Sequence, residues 1–236
     1  MDTDDRPMNT SQTTPIVYPL REALTREVPM TDKPVTVELA TAEMSTEVAR
    51  VIGAAFADLE ASQWLAPDDG WRNETYWRFF QHAYVDPAFL PGRGTVYVTA
   101  DHLAAAVWLH HEPWLDETPT EAFVAELEQI TGPFFDNFVE FGGLLDKAHA
   151  RYKDVSHDYC GVIGAHPSIW RQGSGRALMQ AHLAHLDRSG RPAYLEAANT
   201  NRVGIWRKFG FEPTEDVVTL PNGHQLFPMW REPART

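Results

Sequence analysis

The most informative segment of this 236-residue chain reads Cys160-Gly-Val-Ile-Gly-Ala-His-Pro-Ser-Ile-Trp-Arg-Gln-Gly-Ser-Gly-Arg-Ala-Leu-Met179. Its pattern predicts a buried strand, a tight loop closed by two glycines, and a helix. Because Gly173 and Gly175 carry no side chains, an anionic group can approach the backbone closely where the helix begins. The first-turn amides of a helix have no helical acceptor and the helix dipole adds a positive field, so this loop favours phosphate binding. Arg171 and Arg176 are available for direct charge pairing.

The loop by itself is compatible with more than one kind of structure. A purely structural turn is common before a helix and remains open on these residues alone. A dinucleotide-binding motif does not fit, because Leu178 occupies the position of its third glycine. A Walker A loop does not fit either, because no Lys-Ser/Thr pair follows the glycines.

A second segment, downstream of the first, reads Tyr194-Leu-Glu-Ala-Ala-Asn199-Thr-Asn-Arg-Val-Gly-Ile-Trp206-Arg-Lys-Phe-Gly-Phe211. The two segments in this order resemble the GNAT acyltransferases. The pattern of that superfamily is a strand, V-x-P-x-x-Q/R-x-x-G-x-G/A opening a helix, a second strand, and N-x-x-A-I-x-L-Y-x-x-x-G-F. The resemblance spans roughly residues 158–231. The Leu195-Glu196-Ala197 strand and the 217–230 tail are most similar to the puromycin-acetyltransferase-like branch.

The resemblance implies an α/β (α+β) fold with a mixed, splayed central sheet flanked by helices. It also implies acyl-CoA-dependent N-acyl transfer, with acetyl-CoA as the expected co-substrate and a primary amine of a small molecule as the acceptor. A backbone N–H of the splayed strand would stabilise the oxyanion that forms at the thioester. The coenzyme contacts that it implies are Val162, Ile163 and Ala165 for the pantetheine arm, Arg171, Gln172, Gly173, Ser174, Gly175 and Arg176 for the pyrophosphate loop, and Asn199 beside the coenzyme.

Two positions depart from the family pattern. Trp170 and Arg171 replace the usual Gln/Arg and a common glycine of the loop, which leaves the backbone donors in place. Trp206 stands where the family usually has a tyrosine whose hydroxyl is thought to protonate the departing thiolate. An indole N–H donates a hydrogen bond but is no acid near neutral pH. Since a thiol has a pKa of about 8.5, a thiolate can leave without full protonation, and Tyr194 or Tyr159 could also serve.

Glu196 is the candidate base, and with Trp206 it completes the set of candidate catalytic residues. It follows an apolar strand, where burial would raise the pKa of its carboxyl group. The alternative is a structural carboxylate that accepts hydrogen bonds from loop amides or from Arg202. Other candidate bases near the motif strand are His157, Asp158 and His166, and a relay through water also remains open.

Composition limits the partners. The chain contains 33 Asp and Glu residues and 20 Lys and Arg residues. The resulting net charge of −13 disfavours binding of nucleic acid and attracts cationic amines. The single Cys160 excludes an internal disulfide and cysteine-rich zinc modules. The pairs His110-His111 and His182-x-x-His185 are incomplete as metal sites, so no metal is expected. No long apolar run or signal-peptide core is present, so a membrane partner is not expected and the predicted location is cytoplasmic.

The pattern of elements predicts a disordered tail over residues 1–33 and one acyltransferase domain over residues 34–233. Within that domain, residues 113–153 are expected to form a helical insertion before the fourth strand. A single helix is predicted over residues 69–84, and a second helical stretch, interrupted or bent near Gly142-Gly143, is predicted over residues 134–152. The sequence does not fix the oligomeric state, and a homodimer is compatible with it.

Two other functions remain open at this point. The first is a non-catalytic acyl-CoA-binding sensor or scaffold module, in which Trp206 marks the loss of catalysis. The second is a plain α/β interaction domain that uses the glycine loop only as a turn. The many aromatic residues of the amino-terminal half either wall an acceptor pocket or form ordinary core.

Overall fold

The computed structural model describes residues 35–234, and the predicted tail of residues 1–33 lies outside the described residues. Its sheet has the strand order β1-β2-β3-β4-β5-β8-β6, with β7 paired to β8. Strands β4 and β5 are parallel and the neighbouring pairs are antiparallel, so the mixed sheet expected from the sequence is confirmed. In chain order the strands are Val37–Leu39 (β1), Gly94–Thr99 (β2), Ala104–His111 (β3), His157–Ala165 (β4), Ala193–Ala197 (β5), Glu212–Pro213 (β6), Val218–Thr219 (β7) and Gln225–Arg231 (β8).

Helices cover both faces of this sheet. Their bounds are Ser45–Phe56 (α1), Glu60–Leu65 (α2), Asp69–Glu74 (α3), Tyr76–Phe80 (α4), Asp86–Phe89 (α5), Glu121–Thr131 (α6), Phe135–His149 (α7), Ser174–Ser189 (α8) and Thr200–Arg207 (α9). The core on the α1 side includes Val48, Ile52, Phe80, Val107 and Val162. The core on the α8 side includes Trp108, Leu178, Met179, Leu186 and Leu195. Neighbouring β3 residues, Val107 and Trp108, enter opposite cores because side chains alternate along a strand.

The helical insertion expected before the fourth strand is confirmed, since α6 and α7 lie between β3 and β4. The predicted interruption near Gly142-Gly143 is wrong, because α7 runs through both glycines without a break, and the alternative of a bend there stays a prediction. Phe138 and Ala148 of α7 are buried against the rest of the domain. Each glycine inside a helix destabilises it by roughly 0.5–1 kcal/mol relative to alanine. The packing of α7 against the domain offsets this loss.

The single helix predicted over residues 69–84 is also wrong. The structure divides this region into α3, α4 and a π-helical turn, Gln81–Val85, and then continues into α5. Pro87 stands in the first turn of α5, where its missing N–H costs nothing, and does not end the helical region. None of the helices within residues 35–234 combines the length and hydrophobicity that crossing a bilayer would require.

Strands β4 and β5 separate along their length. They pair at Asp158 with Ala193 and at Tyr159 with Tyr194, and no pairing between them follows within the described residues. A shift in the β3–β4 register adds one residue to β4 at Gly161, which is a β-bulge. The two strands therefore open into a groove towards Ala165, which is the splay that was expected.

Arg191 fixes the closed end of that groove. Its guanidinium donates to Asp158, to Glu112 at 2.6 Å, and to the carbonyls of His111 and His157 at 2.9 and 2.8 Å. Asp158 is 1% exposed, so this pair is shielded from solvent. Burial acts against the charge of Asp158, but hydrogen bonds from His182 and Arg191 hold the pKa of its carboxyl group below the ordinary value.

Candidate active site

The loop before α8 leaves backbone N–H donors free at a helix N-terminus, where the helix dipole adds a positive field. Gly173 precedes the helix at φ 91°, and no side chain caps the first turn. Within residues 35–234 no acceptor contacts the amides of Ser174, Gly175 and Arg176. A Cβ on Gly173 or Gly175 would meet nothing within 4 Å, so no described residue crowds the loop at either glycine. Three unpaired N–H groups at a helix N-terminus suit an anion such as a diphosphate.

The edge of β4 that faces the groove carries free backbone groups. The amide of His166 donates to the carbonyl of Leu103 at 2.7 Å, so this residue points to β3. Because hydrogen-bonding directions alternate along an antiparallel pair, Ile163 and Ala165 direct their backbone groups to the groove and Val162 directs its groups to β3. Of the three residues predicted to contact pantetheine through their backbone, the structure brings two to the groove.

Trp170 occupies one of these groove positions. Its indole N–H donates to the carbonyl of Ala165 at 2.8 Å, while 54% of the residue stays exposed. The next residue, Arg171, has φ 67°, a left-handed conformation that is uncommon outside glycine. Trp170 therefore uses an acceptor that an extended ligand lying along β4 would need.

Glu196 lies on the α1 side of β5, whereas its neighbour Leu195 points into the core on the α8 side. The hydroxyl of Tyr159 on β4 donates to Glu196 Oε2 at 2.8 Å. Glu196 Oε1 and the hydroxyl of Tyr194, two residues earlier on the same face of β5, are also buried. Burial raises the pKa of Glu196 from 4.5 to about 7, and hydrogen bonds from Tyr159 and Tyr194 act in the opposite direction. This carboxylate can therefore accept a proton near neutral pH, and the alternative partner Arg202 does not contact it.

Tyr84 closes the same face and was not identified from the sequence. It belongs to the π-helical turn Gln81–Val85, and π-turns are frequent at functional sites. A Cβ on Gly161 would lie 2.7 Å from Cδ1 of Tyr84, so only glycine lets the ring pack on the bulge. Burial and the negative charge of Glu196 raise the pKa of the Tyr84 hydroxyl. No local pattern marks Tyr84, because its neighbours at the site come from β4 and β5.

The other candidate bases are engaged in the structure. Asp158 accepts from His182 at 2.8 Å and pairs with Arg191. His157 contacts His149 at 2.7 Å between Nε2 atoms and donates from Nδ1 to the Val155 carbonyl at 2.7 Å. Burial lowers the pKa of His157 to about 4. Nδ1 of the third candidate, His166, accepts from the hydroxyl of Ser168 at 2.7 Å.

The two predicted residues of the second motif lie at the ends of α9. Asn199 caps the helix, since its side-chain oxygen accepts from the amide of Arg202 at 3.0 Å. Its NH₂ group is left for another partner, and its contact with the coenzyme stays a prediction. Trp206 is 9% exposed in the core on the α8 side, with its ring 6.0 Å from that of Phe209. A catalytic role of Trp206 also stays a prediction.

A cavity of about 610 Å³ lies beside the end of β5. His224 links its two walls, with Nδ1 2.7 Å from Glu60 Oε2 and Nε2 2.9 Å from the Ala198 carbonyl. Ala198 directly follows β5 and is two residues beyond Glu196. The residues that line the cavity are Glu60, Gln63, Trp64, Pro67, Asn222, Gly223 and His224.

Most of the other amino-terminal aromatic residues are core. The rings of Trp71 and Tyr76 pack on Phe138 of α7, with centroids 5.9 and 6.2 Å away. Within the described part of the chain, no three His, Cys, Asp or Glu side chains are grouped as metal ligands. His111 contacts Glu117 at 2.9 Å, and His182 stacks on Trp108 with centroids 4.0 Å apart.

Solved acetyltransferase structures are similar to this fold. One, described as histone acetyltransferase HPA2 and related acetyltransferase from Corynebacterium glutamicum, has a TM-score of 0.58 at 20% identity, covering 86% of this chain and 99% of its own. The mosquito arylalkylamine N-acetyltransferase like 5b has a TM-score of 0.56 at 10% identity, covering 84% and 100%. An apo mutant of agmatine N-acetyltransferase has a TM-score of 0.55 at 11% identity, covering 84% and 98%. At such identities the likeness shows the fold alone.

A family model gives the more specific result. The model described as the acetyltransferase (GNAT) family matches residues 56–211. This range covers more than half of the chain and includes β4, the loop before α8, β5 and α9. It therefore contains the open amides, the groove and Glu196. On this match the chain belongs to the acetyltransferase (GNAT) family.

Proposed function

We propose that this chain transfers an acetyl group from acetyl-CoA to the primary amine of a small molecule, by direct attack of the amine on the thioester. The GNAT family uses acetyl-CoA as its co-substrate. The observation that carries the proposal is the groove between β4 and β5. One end of the groove leads to the free amides before α8. The α1 side of the neighbouring strand β5 carries the carboxylate of Glu196, whose pKa is about 7.

The coenzyme fits the donors and acceptors of this groove. Its pyrophosphate would accept from the amides of Ser174, Gly175 and Arg176, and its pantetheine arm would run beside Ile163 and Ala165 as an added strand does. The amide of Ile163 faces the groove and is the candidate donor to the thioester oxyanion. Holding donor and acceptor together supplies much of the rate acceleration through proximity.

Glu196 is the proposed base. Its Oε1 takes a proton from the acceptor ammonium, and the neutral nitrogen then attacks the thioester carbon. The nitrogen of the tetrahedral intermediate then gives its second proton to water, and the intermediate collapses with cleavage of the C–S bond, releasing the neutral amide and the coenzyme A thiolate. Trp206 cannot protonate that thiolate. A thiolate whose conjugate acid has a pKa of about 8.5 leaves without an acid and takes its proton from water.

The acceptor would enter through the cavity beside Ala198. Trp64 offers an aromatic face and Glu60 a carboxylate to a cationic or aromatic amine. Two similar structures are named for small amines, arylalkylamines and agmatine, which is the same broad class of acceptor. Membership of the puromycin-acetyltransferase-like branch, a cytoplasmic location and a homodimer remain predictions from the sequence.

Thiol release tests this function directly. The chain is incubated with acetyl-CoA and a panel of small amines, and free coenzyme A is followed with a thiol reagent. Release that depends on amine and enzyme supports the proposal. Thermal stabilisation by acetyl-CoA without release would instead support the sensor or scaffold. Absence of any stabilisation would support the plain interaction domain, since a ligand at about 100 times its Kd stabilises by about 2.7 kcal/mol.

A further inference from the structure

His224 bridges the two walls of the cavity beside β5. Its ring Nδ1 lies 2.7 Å from Oε2 of Glu60 on α2, and its Nε2 lies 2.9 Å from the carbonyl oxygen of Ala198. The side chain of His224 is 10% exposed, whereas that of Glu60 is 75% exposed. One shielded imidazole ring therefore contacts two oxygen atoms, one from each wall, at hydrogen-bonding distance.

The turn between β7 and β8 fixes the position of this ring. The amide of His224 donates to Oδ1 of Asn222 at 3.0 Å, and its carbonyl accepts from the amide of Leu220 at 2.9 Å. Beneath the turn, Leu220 is buried in one apolar cluster with Ala61, the residue that follows Glu60. Because the turn and α2 are packed together, a change in the protonation of His224 acts on side chains and leaves the walls in place.

Both partners of the ring are acceptors, which decides its protonation state. Neither a carboxylate nor a carbonyl oxygen can donate a hydrogen bond, and a neutral imidazole carries a proton on one nitrogen only. Only the imidazolium therefore satisfies both contacts at once. When the ring loses a proton, one nitrogen presents a lone pair to an oxygen atom. Since Ala198 contributes a backbone carbonyl and Glu60 a largely exposed side chain, Glu60 is the partner that can turn away.

The protonation state of His224 also sets the charge of the cavity. Of the residues that line it, Glu60 and His224 are ionisable and the others are uncharged. On β5 the titratable residue beside this region is Glu196, two residues before Ala198. The neighbouring side chains of the turn and of α7 in the apolar cluster are uncharged, namely Asn222, Gln225, Phe141, Leu144 and Leu145. With a protonated ring the cavity is neutral overall, and with a neutral ring it keeps the negative charge of Glu60.

We infer that His224 controls how strongly the cavity attracts the ammonium group of the acceptor. The inference rests on the proposed function and concerns the regulation of that same site. At acidic pH the imidazolium is the counter-ion of Glu60, and the acceptor meets a neutral cavity. At alkaline pH the ring is neutral, and the ammonium takes its place as the counter-ion of Glu60. Binding of the ammonium thus favours release of the ring proton to water, and His224 itself takes no part in the chemistry.

The test compares the wild type with His224→Gln, whose side chain is neutral at every pH. A histidine changes its charge between about pH 5 and 8. We measure KM for the best acceptor of the amine panel by thiol release, at about pH 6 and about pH 8. At the lower pH the wild-type KM should exceed that of the variant by about three- to tenfold, between the values of an exposed and a shielded charge pair. At the higher pH the two should agree.

The ratio of the two KM values isolates His224, because the ionisation of Glu196 and of the amine is common to both enzymes. His185→Gln alters an exposed histidine on α8 and should keep the wild-type pH dependence. Glu60→Gln removes the carboxylate, so it should raise KM at the higher pH and change it little at the lower one. A ratio between wild type and His224→Gln that is equal at both pH values overturns the inference and leaves acyl transfer intact.

A measurement on the protein alone separates the inference from the proposed function. Long-range proton–nitrogen correlation spectra of isotope-labelled protein identify the His224 ring by its absence from the spectrum of His224→Gln. Both ring nitrogens should carry a proton at the acidic end of the range, and one of them at the alkaline end. A ring that keeps a single proton throughout overturns the inference. Failure of the proposed function is a different result, namely no thiol release with any amine.

Discussion

Glutamine at position 196 should make the protein more stable at pH 8 and almost inactive. The pKa of Glu196 rises from 4.5 to about 7 because its carboxylate is buried. Between these two values the folded state holds a proton that the unfolded state has released, so wild-type stability falls as the pH rises through this range. Glutamine cannot ionise, so the stability of the Glu196→Gln variant does not fall with pH in this way.

The size of the effect follows from the same values. A rise from 4.5 to about 7 corresponds to at most about 3.5 kcal/mol, at about 1.4 kcal/mol per pH unit. The side chain is partly accessible, which reduces this limit. Glutamine can still accept from Tyr159, and its NH₂ group can donate to the Tyr194 hydroxyl. We expect a gain of about 1–3 kcal/mol at pH 8, or roughly 2–12 °C in unfolding temperature.

Thermal unfolding at pH 5 and pH 8 measures this difference. The gain for Glu196→Gln should be small at pH 5 and full at pH 8, while Glu38→Gln, exposed on β1, should shift equally at both. In thiol-release assays the wild-type kcat/KM should rise with pH through about 7, and the variant should lose ~10²–10⁴-fold. A stability difference that does not change with pH would refute the buried carboxylate. Retained activity would refute its role as the base.

Three further substitutions test the groove and the second motif. Trp206→Tyr should raise turnover if protonation of the thiolate limits the reaction; an unchanged rate in pre-steady-state thiol release would mean that another group already serves. Trp170→Phe frees the Ala165 carbonyl and should tighten coenzyme A binding by roughly three- to tenfold in calorimetry, the value of about one hydrogen bond; weaker binding would make Trp170 itself a coenzyme contact. Gly173→Ala, at φ 91°, should cost about 1–2 kcal/mol and weaken coenzyme binding. Gly190→Ala at the other end of α8, with φ 66°, should cost a similar amount and leave binding unchanged, and equal binding by both variants would contradict the phosphate site.

The sequence predicted those elements whose signals are local. The strand that contains Leu195-Glu196-Ala197 and the helix that follows Gly173 form where the two motifs predicted them, because glycine and proline mark their ends. The prediction for residues 69–84 was wrong because the spacing of their aromatic residues suits one long helix as well as it suits several short ones. Its division into α3, α4 and a π-helical turn depends on packing against α1 and α7, which no local pattern encodes.

The site divides in the same way. Gly173 and Glu196 could be proposed from the sequence because each stands in a motif with a fixed order of elements. Tyr84 could not, because it reaches the candidate site from the π-helical turn, far along the chain from β4 and β5. Val162 was misjudged as a groove residue since the bulge at Gly161 changes which backbone groups face β3, and a bulge leaves no reliable mark in a single sequence.

One glycine connects the two halves of the proposed site. At Gly161 the bulge places two successive residues, Gly161 and Val162, on the α1 side of β4, while Ile163 returns to the α8 side. The same absence of a side chain lets the Tyr84 ring pack on the strand, next to Glu196. Arg191 holds β4 and β5 together at their other end, so the strands separate only where the bulge has bent β4. The donor groove and the acceptor face are therefore consequences of one local departure from regular strand geometry.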